Sequence, residues 1–193
     1  LGHEEVQNLL DILERQYPKL VEGLVPDLLP LGVVVKVMQN LLNEGVPVRD
    51  LRTIVQTLVE YGSKSQDPDV LTAAARIALK RLIVQEINGI EPELSVITLA
   101  PDLEQMLHQT MQASGGDAGA GMEPGLAERL QSSLATATEQ LELEGLPAIL
   151  LTSGVLRSTL SRFVKNTIPG LRVLSYQEVP DDKQIKIVSS VGQ

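Results

Sequence analysis

The sequence contains no cysteine and very few aromatic residues. Without cysteine the chain can form no disulfide, no thiolate nucleophile and no thiolate metal site. Aromatic residues make up 2% of the chain, with one phenylalanine, three tyrosines and no tryptophan. So few aromatic side chains can hardly stack on nucleic-acid bases or sugar rings, so we expect the chain to bind neither ligand. We also expect the core to be aliphatic.

Positive charge and long hydrophobic runs are also scarce. The chain has 16 lysine and arginine residues against 25 aspartate and glutamate residues, for a formal net charge of -9. Nucleic-acid domains usually present a strong basic patch, so we predict no nucleic-acid partner. The apolar run at residues 28–35 is broken by Pro30 and Gly32, and it is much shorter than the roughly 20 residues that span a bilayer. Because the chain begins at Leu1 rather than at methionine, we expect it to be part of a longer protein.

Residues 33–61 have the pattern of two helices joined by a short turn. Gly45 is placed to end the first helix, and Pro47 and Asp50 suit the first turn of the second. The first apolar stripe contains Leu31, Val34, Val35, Met38 and Leu42, and the second contains Val48, Leu51, Val55, Leu58 and Val59. So short a connection predicts that the two stripes face each other as an antiparallel pair.

The rest of residues 1–91 is helical in pattern too. Apolar residues recur at helical spacing at Val6, Leu9, Leu10 and Leu13. Pro18 opens a second short helix, and the Asp67-Pro68 pair is a strong start signal for another. We therefore predict a helical subdomain over residues 1–91.

Residues 92–193 alternate between short β-branched runs and helical patterns. Strands are predicted at residues 94–99, 148–151, 172–176 and 184–189, with helices beginning at Pro101 and Pro124 and another between the second and third strands. The strand-helix-strand unit predicts two parallel neighbours, and the last strand is expected at an edge. The predicted fold class is α+β with two subdomains, namely an N-terminal helical bundle and a small α/β subdomain with a mixed, partly parallel sheet.

Residues 113–121, with the sequence ASGGDAGAG, are predicted to form a flexible loop. Such a composition buries too little apolar surface to offset the entropy of ordering it. Exposed glycine-rich loops are preferred cleavage sites, so limited proteolysis should cut here first. A first cut within residues 33–61 would contradict this placement of the rigid helical unit.

Thr152, Ser153 and Gly154 follow a predicted strand and open a helix, where a hydroxyl or an anion can meet free N–H groups. The surrounding residues form neither a nucleophile elbow nor a phosphate-binding loop, and only His3 and His108 could serve as a base. The two histidines also lack the spacing of a metal site. We therefore predict a helix cap here, with no catalysis, no metal and no cofactor.

Two charged clusters are candidate binding surfaces. Arg49, Asp50 and Arg52 crowd the start of a helix and have two interpretations, a local bridge or a contact across a subunit boundary to the acidic residues Glu4 and Glu5 of a second copy. Arg157, Arg162 and Lys165 form a basic strip that either is a solvated helix face or docks an acidic partner.

Four stretches of the sequence resemble the cytoplasmic domain of the type III export-gate family. They are KVMQNLLNEGVPVRDLRTIVQTLVEYG, DPDVLTAAARIALKR, EPGLAERL and ILLTSGVLRSTLSRFVKNTIPGLRVLSYQEVP, and together they cover most of the chain. The resemblance implies the last two cytoplasmic subdomains of an inner-membrane protein. In that family the cytoplasmic domains form a nine-membered ring, to which the helical subdomain contributes much of the contact.

The resemblance also implies partners and a place in the cell. The family's ring lies on the cytoplasmic face of the bacterial inner membrane, and it receives export substrates, their chaperones and the stalk of the export ATPase. The membrane helices and the first two cytoplasmic subdomains, which carry the main chaperone groove, are expected before Leu1. Flagellar use is the preferred interpretation, an injectisome homologue is the alternative, and a small ligand-binding or hydrolytic domain using residues 152–154 is the rival from another class.

Overall fold

The computed structural model describes residues 1–115 and 121–192 of the chain. The predicted flexible loop at 113–121 falls mostly on residues 116–120, which lie outside the described residues. The chain divides into two compact units, Leu1–Ile83 and Val84–Gln193. The sequence placed the division at residue 91, whereas the division in the structure lies earlier, inside a helix.

The first unit consists of helices. They are α1 (His3–Gln16), α2 (Pro18–Val21), a wide π-type turn (Leu24–Leu28), α3 (Leu31–Asn43), α4 (Leu51–Gly62), α5 (Pro68–Ala78) and the start of α6 (Lys80–Asn88). The apolar spacing read from the first helix is confirmed, since Val6, Leu10 and Leu13 are buried. The predicted start signal at α5 is confirmed as well. There Asp67 accepts a hydrogen bond from the Asp69 N–H at 2.9 Å, and Pro68 takes the first helical position.

The turn between α3 and α4 is only partly as predicted. Gly45 has a φ of 73°, the left-handed conformation expected of a residue that ends a helix. Pro47 does not lie in the first turn of α4, because the helix begins at Leu51 with Asp50 as its cap. Residues 46–50 are therefore non-helical, and α4 starts later than the sequence indicated.

The predicted direct pairing of α3 with α4 is wrong in detail. In the described part of the chain, the extensive helix contacts run from α5 to α3 and from α5 to α4. Leu42 and Val59, both assigned to the facing stripes, are 41% and 38% exposed. The longer connection lets α5 pack against both helices, so these two ends of the stripes are left outside the core.

The second unit combines a sheet with helices. Its elements after α6 are β1 (Glu93–Leu99), α7 (Pro101–Ala113), α8 (Pro124–Leu143), β2 (Ala148–Thr152), α9 (Gly154–Val164), β3 (Leu171–Ser175), a 3₁₀ turn (Tyr176–Glu178) and β4 (Gln184–Val191). The strand order is β3-β2-β1-β4, so the predicted edge position of β4 is confirmed. Every pairing in the sheet is parallel, where the sequence indicated only partly parallel pairing.

The core of the second unit lies between one face of this sheet and the helices α7, α8 and α9. Alternate strand residues such as Ile97, Leu150 and Val173 enter it, as the period of two in a strand requires. Leu107, Leu134 and Leu160, one from each helix, pack onto them. Burying aliphatic surface supplies the main stabilisation here, at about 25 cal/mol for each Å² removed from water.

Across residues 1–115 and 121–192, none of the helices is both long enough and apolar enough to cross a membrane.

Candidate functional site

The cluster at the start of α4 is held by local contacts. The Asp50 carboxylate accepts hydrogen bonds from the Thr53 N–H at 3.3 Å and from the Thr53 hydroxyl at 2.7 Å, which caps the helix. The Arg52 guanidinium lies 4.3 Å from the centre of the Tyr17 ring, and its Nη1 is 3.4 Å from the Tyr17 hydroxyl. Arg49 is exposed. Asp50 and Arg52 thus make local contacts, as the interpretation of this cluster as a local bridge required. Both side chains are nevertheless exposed to solvent.

The acidic residues of the other candidate interface patch lie in the first turn of α1. Glu4 and Glu5 are both exposed. The Glu5 carboxylate accepts a hydrogen bond from the Gly2 N–H at 2.9 Å. Hydrogen bonds from the backbone N–H groups of Glu5 and Gly2 lower the pKa of the Glu5 carboxyl, so this residue keeps its negative charge to lower pH.

The predicted basic strip on α9 is incomplete, because Arg157 is buried and only 5% exposed. Its Nε lies 3.8 Å from Glu178 Oε2, and its Nη1 donates to the Val173 carbonyl at 3.3 Å. A buried charge needs such partners, and helical spacing alone could not show that Arg157 points at β3. Arg162 and Lys165 remain exposed, so only these two can take part in any docking strip.

The Arg157–Glu178 pair joins α9 to the end of β3. Glu178 is 2% exposed, and its Oε1 accepts a hydrogen bond from the Ser175 N–H at 3.0 Å. The carboxylate thus meets both a backbone donor and the guanidinium. The pair fixes the position of the 3₁₀ turn that follows β3.

Ser153 takes the N-cap position of α9, but its side chain makes no capping hydrogen bond to that helix. Its hydroxyl lies 3.0 Å from His108 Nε2, and its backbone N–H donates to Glu104 Oε1, also at 3.0 Å. Glu104 also influences Tyr176, where burial first and the negative charge of Glu104 second raise the pKa of the phenol. These residues gather at the carboxyl ends of β1, β2 and β3.

The sequence contained a signal for this cluster that the interpretation of isolated motifs missed. Glu104 and His108 are four residues apart and share a face of α7, the helix that follows β1. Ser153 follows β2, which pairs in parallel with β1. Parallel strands end at the same edge of a sheet, and that edge is where α/β proteins usually bind ligands.

The cluster contains the nucleophile–base contact of a hydrolase but not its third member. In a catalytic triad, an acid holds the far nitrogen of the imidazole. Here Glu104 bonds the Ser153 backbone instead, and within residues 1–115 and 121–192 the structure gives the His108 imidazole no hydrogen bond other than that to Ser153. Glu104 also takes the place that a bound anion would have beside the start of α9. The arrangement suits a link between α7 and α9 better than activation of Ser153.

No group of three or more histidine or carboxylate side chains that could hold a metal ion is present among the residues that the structure describes.

Two flagellar proteins illustrate the sequence similarity of the chain to known proteins. The flagellar biosynthesis protein FlhA of Proteus mirabilis is 42% identical over 191 residues, which cover 99% of this chain and 27% of that protein. FlhA of Bacillus subtilis is 33% identical over 191 residues, again 99% of this chain and 28% of the relative. The chain therefore spans little more than a quarter of the length of these relatives.

Solved structures share the fold. The CdsV protein of Chlamydia pneumoniae has a TM-score of 0.86 and 27% identity, and the match covers 100% of this chain and 55% of that one. The nonameric SctV-C of EPEC has a TM-score of 0.85 and 30% identity, with 98% and 57% covered. The family model described as the FHIPEP family matches residues 1–184. The chain belongs to the FHIPEP family.

Proposed function

We propose that this chain is a non-enzymatic assembly and docking module of a flagellar type III protein export gate, and that it contributes to the gate's cytoplasmic ring. The observation that carries the proposal is the 42% identity to a flagellar FlhA over 99% of the chain. The related SctV-C and the cytosolic domain of EscV are described as nonameric, which supports a role in a ring. An injectisome gate is the alternative within the same family.

The proposal assigns different roles to the two units. The helical part, residues 1–91 in the sequence interpretation, supplies the ring contact through Arg49, Asp50 and Arg52 on one copy and Glu4 and Glu5 on the next. A ring needs a head-to-tail contact between two different patches, and clusters of opposite charge provide such a pair. The α/β part, residues 92–193, with Arg162 and Lys165 exposed on α9, faces partners.

The remaining partners are those of the whole export gate. We expect the ring to lie on the cytoplasmic face of the bacterial inner membrane and to receive export substrates, chaperones and the stalk of the export ATPase. A protein that docks partners needs no catalytic set, and the incomplete Ser153–His108 arrangement supports a non-enzymatic role.

Deleting the segment that corresponds to this 193-residue chain, in frame, from the full-length protein of the source bacterium tests this function. We expect cells without flagellar filaments and without secreted filament protein, although the truncated protein still reaches the membrane. Normal filaments with an injectisome defect would favour the alternative. Unchanged export of both kinds would contradict the proposal.

The isolated chain is expected to be mainly monomeric at low concentration. A ring contact of few exposed charges is weak, and membrane tethering raises the effective concentration of the copies. Sedimentation velocity over a concentration series should give a species near 20.9 kDa at the low end. Stable rings at the lowest concentrations would contradict the dependence on tethering.

A hydrolytic function is the second candidate, and the 3.0 Å contact between Ser153 and His108 is the observation in its favour. If this function operates, Ser153→Ala and His108→Ala should each abolish labelling by a fluorophosphonate probe and should impair export. We expect instead no labelling of the wild type and normal export from Ser153→Ala. Both variants leave the Glu104 contact to the Ser153 backbone N–H in place, so neither removes this link between α7 and α9.

A further inference from the structure

A groove of about 510 Å³ lies between α8 and the free edge of the sheet. One wall is the C-terminal half of α8, and the other is the strand end from Val188 to Gly192. The lining is mostly hydroxyl, amide and backbone groups, among them those of Ser132, Thr136, Gln140 and Ser190. A groove between a helix and a strand edge has the shape of a site for an extended peptide.

The hydrogen bonds of β4 show which of its backbone groups face this free edge. The Gln184 N–H donates to the Pro92 carbonyl, and the Val191 carbonyl accepts from the Ala100 N–H, so both residues face β1. In a parallel strand the backbone direction alternates from residue to residue. Counting from each end, and allowing for the bulge at Val188, the N–H and C=O groups of Ile185, Ile187 and Ser190 point outward.

Two of the three residues with outward backbone groups carry large, exposed apolar side chains. Ile187 is 62% exposed and Ile185 is 45% exposed. Within the described residues, no backbone partner bonds the outward groups of Ile185, Ile187 or Ser190. Exposed edges with apolar side chains are templates for strand addition unless something covers them, and the single Lys186 protects this one only weakly.

The groove favours a ligand with a positively charged side chain. Glu144 is the single ionisable residue among the described residues that line it, and its carboxylate has no hydrogen-bond or ion-pair partner in residues 1–115 and 121–192. It also lies next to the C-terminus of α8, where the helix dipole is negative. A basic side chain placed there would meet two favourable sources of negative potential.

We propose that an extended peptide segment of a partner protein, alternately β-branched and small and carrying one basic residue, binds in this groove as a fifth strand beside β4. Its backbone pairs with Ser190 inside the groove and with Ile187 and Ile185 on the strand edge beyond it. Its small side chains pass beneath the hydroxyls of α8, and its basic residue reaches Glu144. A second copy fits less well, because Lys186, the basic residue of its own β4, already lies 3.9 Å from the Glu93 carboxylate. The site does not depend on the ring, so it stands apart from the proposed function.

Fluorescence anisotropy with two labelled peptides on the 193-residue chain tests the proposal. The first probe is Arg-Val-Ser-Val-Ser-Val, and the matched probe has Glu in place of Arg. The Arg peptide should bind about threefold more tightly than the Glu peptide, as expected for one exposed charge pair, and Glu144→Gln should remove that preference. In NMR spectra, the N–H groups of residues 185, 187 and 190 should shift and exchange more slowly.

Ile187→Pro removes one outward donor and no bond to β1, so a folded edge strand can accept it. Ile187→Pro should weaken peptide binding about tenfold, because one backbone hydrogen bond is lost and the adjacent ones are weakened. The control Ile187→Thr keeps the backbone N–H donor and should bind the peptide as the wild type does. An Arg peptide methylated on its pairing nitrogens should fail against the wild type, which keeps the test decisive if Ile187→Pro unfolds.

Four results would overturn the proposal. They are no binding of either peptide at about 1 mM, equal binding of the methylated and unmethylated peptides, NMR shifts away from β4 and α8, and a peptide-independent dimer that protects the same N–H groups. The last would show that a second copy occupies the edge.

Discussion

Replacing Arg157 by alanine is expected to lower the free energy of unfolding of the second unit by about 3–5 kcal/mol, the usual cost of removing one member of a buried ion pair. Glu178 is 2% exposed and would be left buried without its guanidinium partner. The Val173 carbonyl would also lose the Nη1 donor. Denaturation by urea, followed by circular dichroism, measures the change.

Two variants separate the lost pair from the lost side chain. Arg162→Ala, on the same helix but exposed, should change the free energy of unfolding by only about 0.5 kcal/mol. Arg157→Met combined with Glu178→Leu should cost less than Arg157→Ala alone, because neither charge is then left unpaired. If Arg157→Ala is no more destabilising than Arg162→Ala, the buried pair does not have the structural role assigned to it.

Reversing the charge at Arg49 and Arg52 in the full-length protein is expected to abolish rings and export. The two arginines face the acidic patch of Glu4 and Glu5 on a neighbouring copy in the proposed ring, so Arg49→Glu with Arg52→Glu replaces attraction by repulsion at every contact. The chain itself should stay folded. The contact of Arg52 with Tyr17 is exposed, and its loss costs about 0.5–1 kcal/mol.

Lys64→Glu is the matched control for this double reversal. Lys64 is exposed in the same unit and its ammonium lies 5.1 Å from the centre of the Tyr61 ring, so Lys64→Glu reproduces half of the charge change and the lost contact with a tyrosine side chain. Electron microscopy of membrane preparations and assays of secreted filament protein should show normal rings and export for this variant. If the double reversal leaves both normal, the ring contact lies elsewhere. If it unfolds the chain, the arginines are structural.

Local signals predicted most of the fold. Gly45 ends α3 and the Asp67-Pro68 pair begins α5 because capping depends on a few neighbouring residues. The predicted strand ends lie within two residues of the observed ones, because short β-branched runs between turn residues are local signals too. What could not be predicted was the partner of each face, and so the direct pairing of α3 with α4 was wrong, since α5 contacts both.

The candidate site was harder to predict because it depends on distant residues. Ser153 and His108 are 45 positions apart, and they meet because β1 and β2 are parallel neighbours. Arg157 occupies a helical position that could equally face solvent, and it is buried because Val173 of β3 and Glu178 after it approach that face. Spacing within one element cannot show which charges another element will cover.

The number of copies in each particle of the purified full-length protein tests the central claim most directly. Native mass spectrometry or electron microscopy of that protein in detergent should give nine copies, as in the related nonameric SctV-C. The same preparation carrying the Arg49 and Arg52 reversals should give smaller species. A wild-type protein that remains monomeric or dimeric at every concentration would contradict the account of this chain as a ring-forming module.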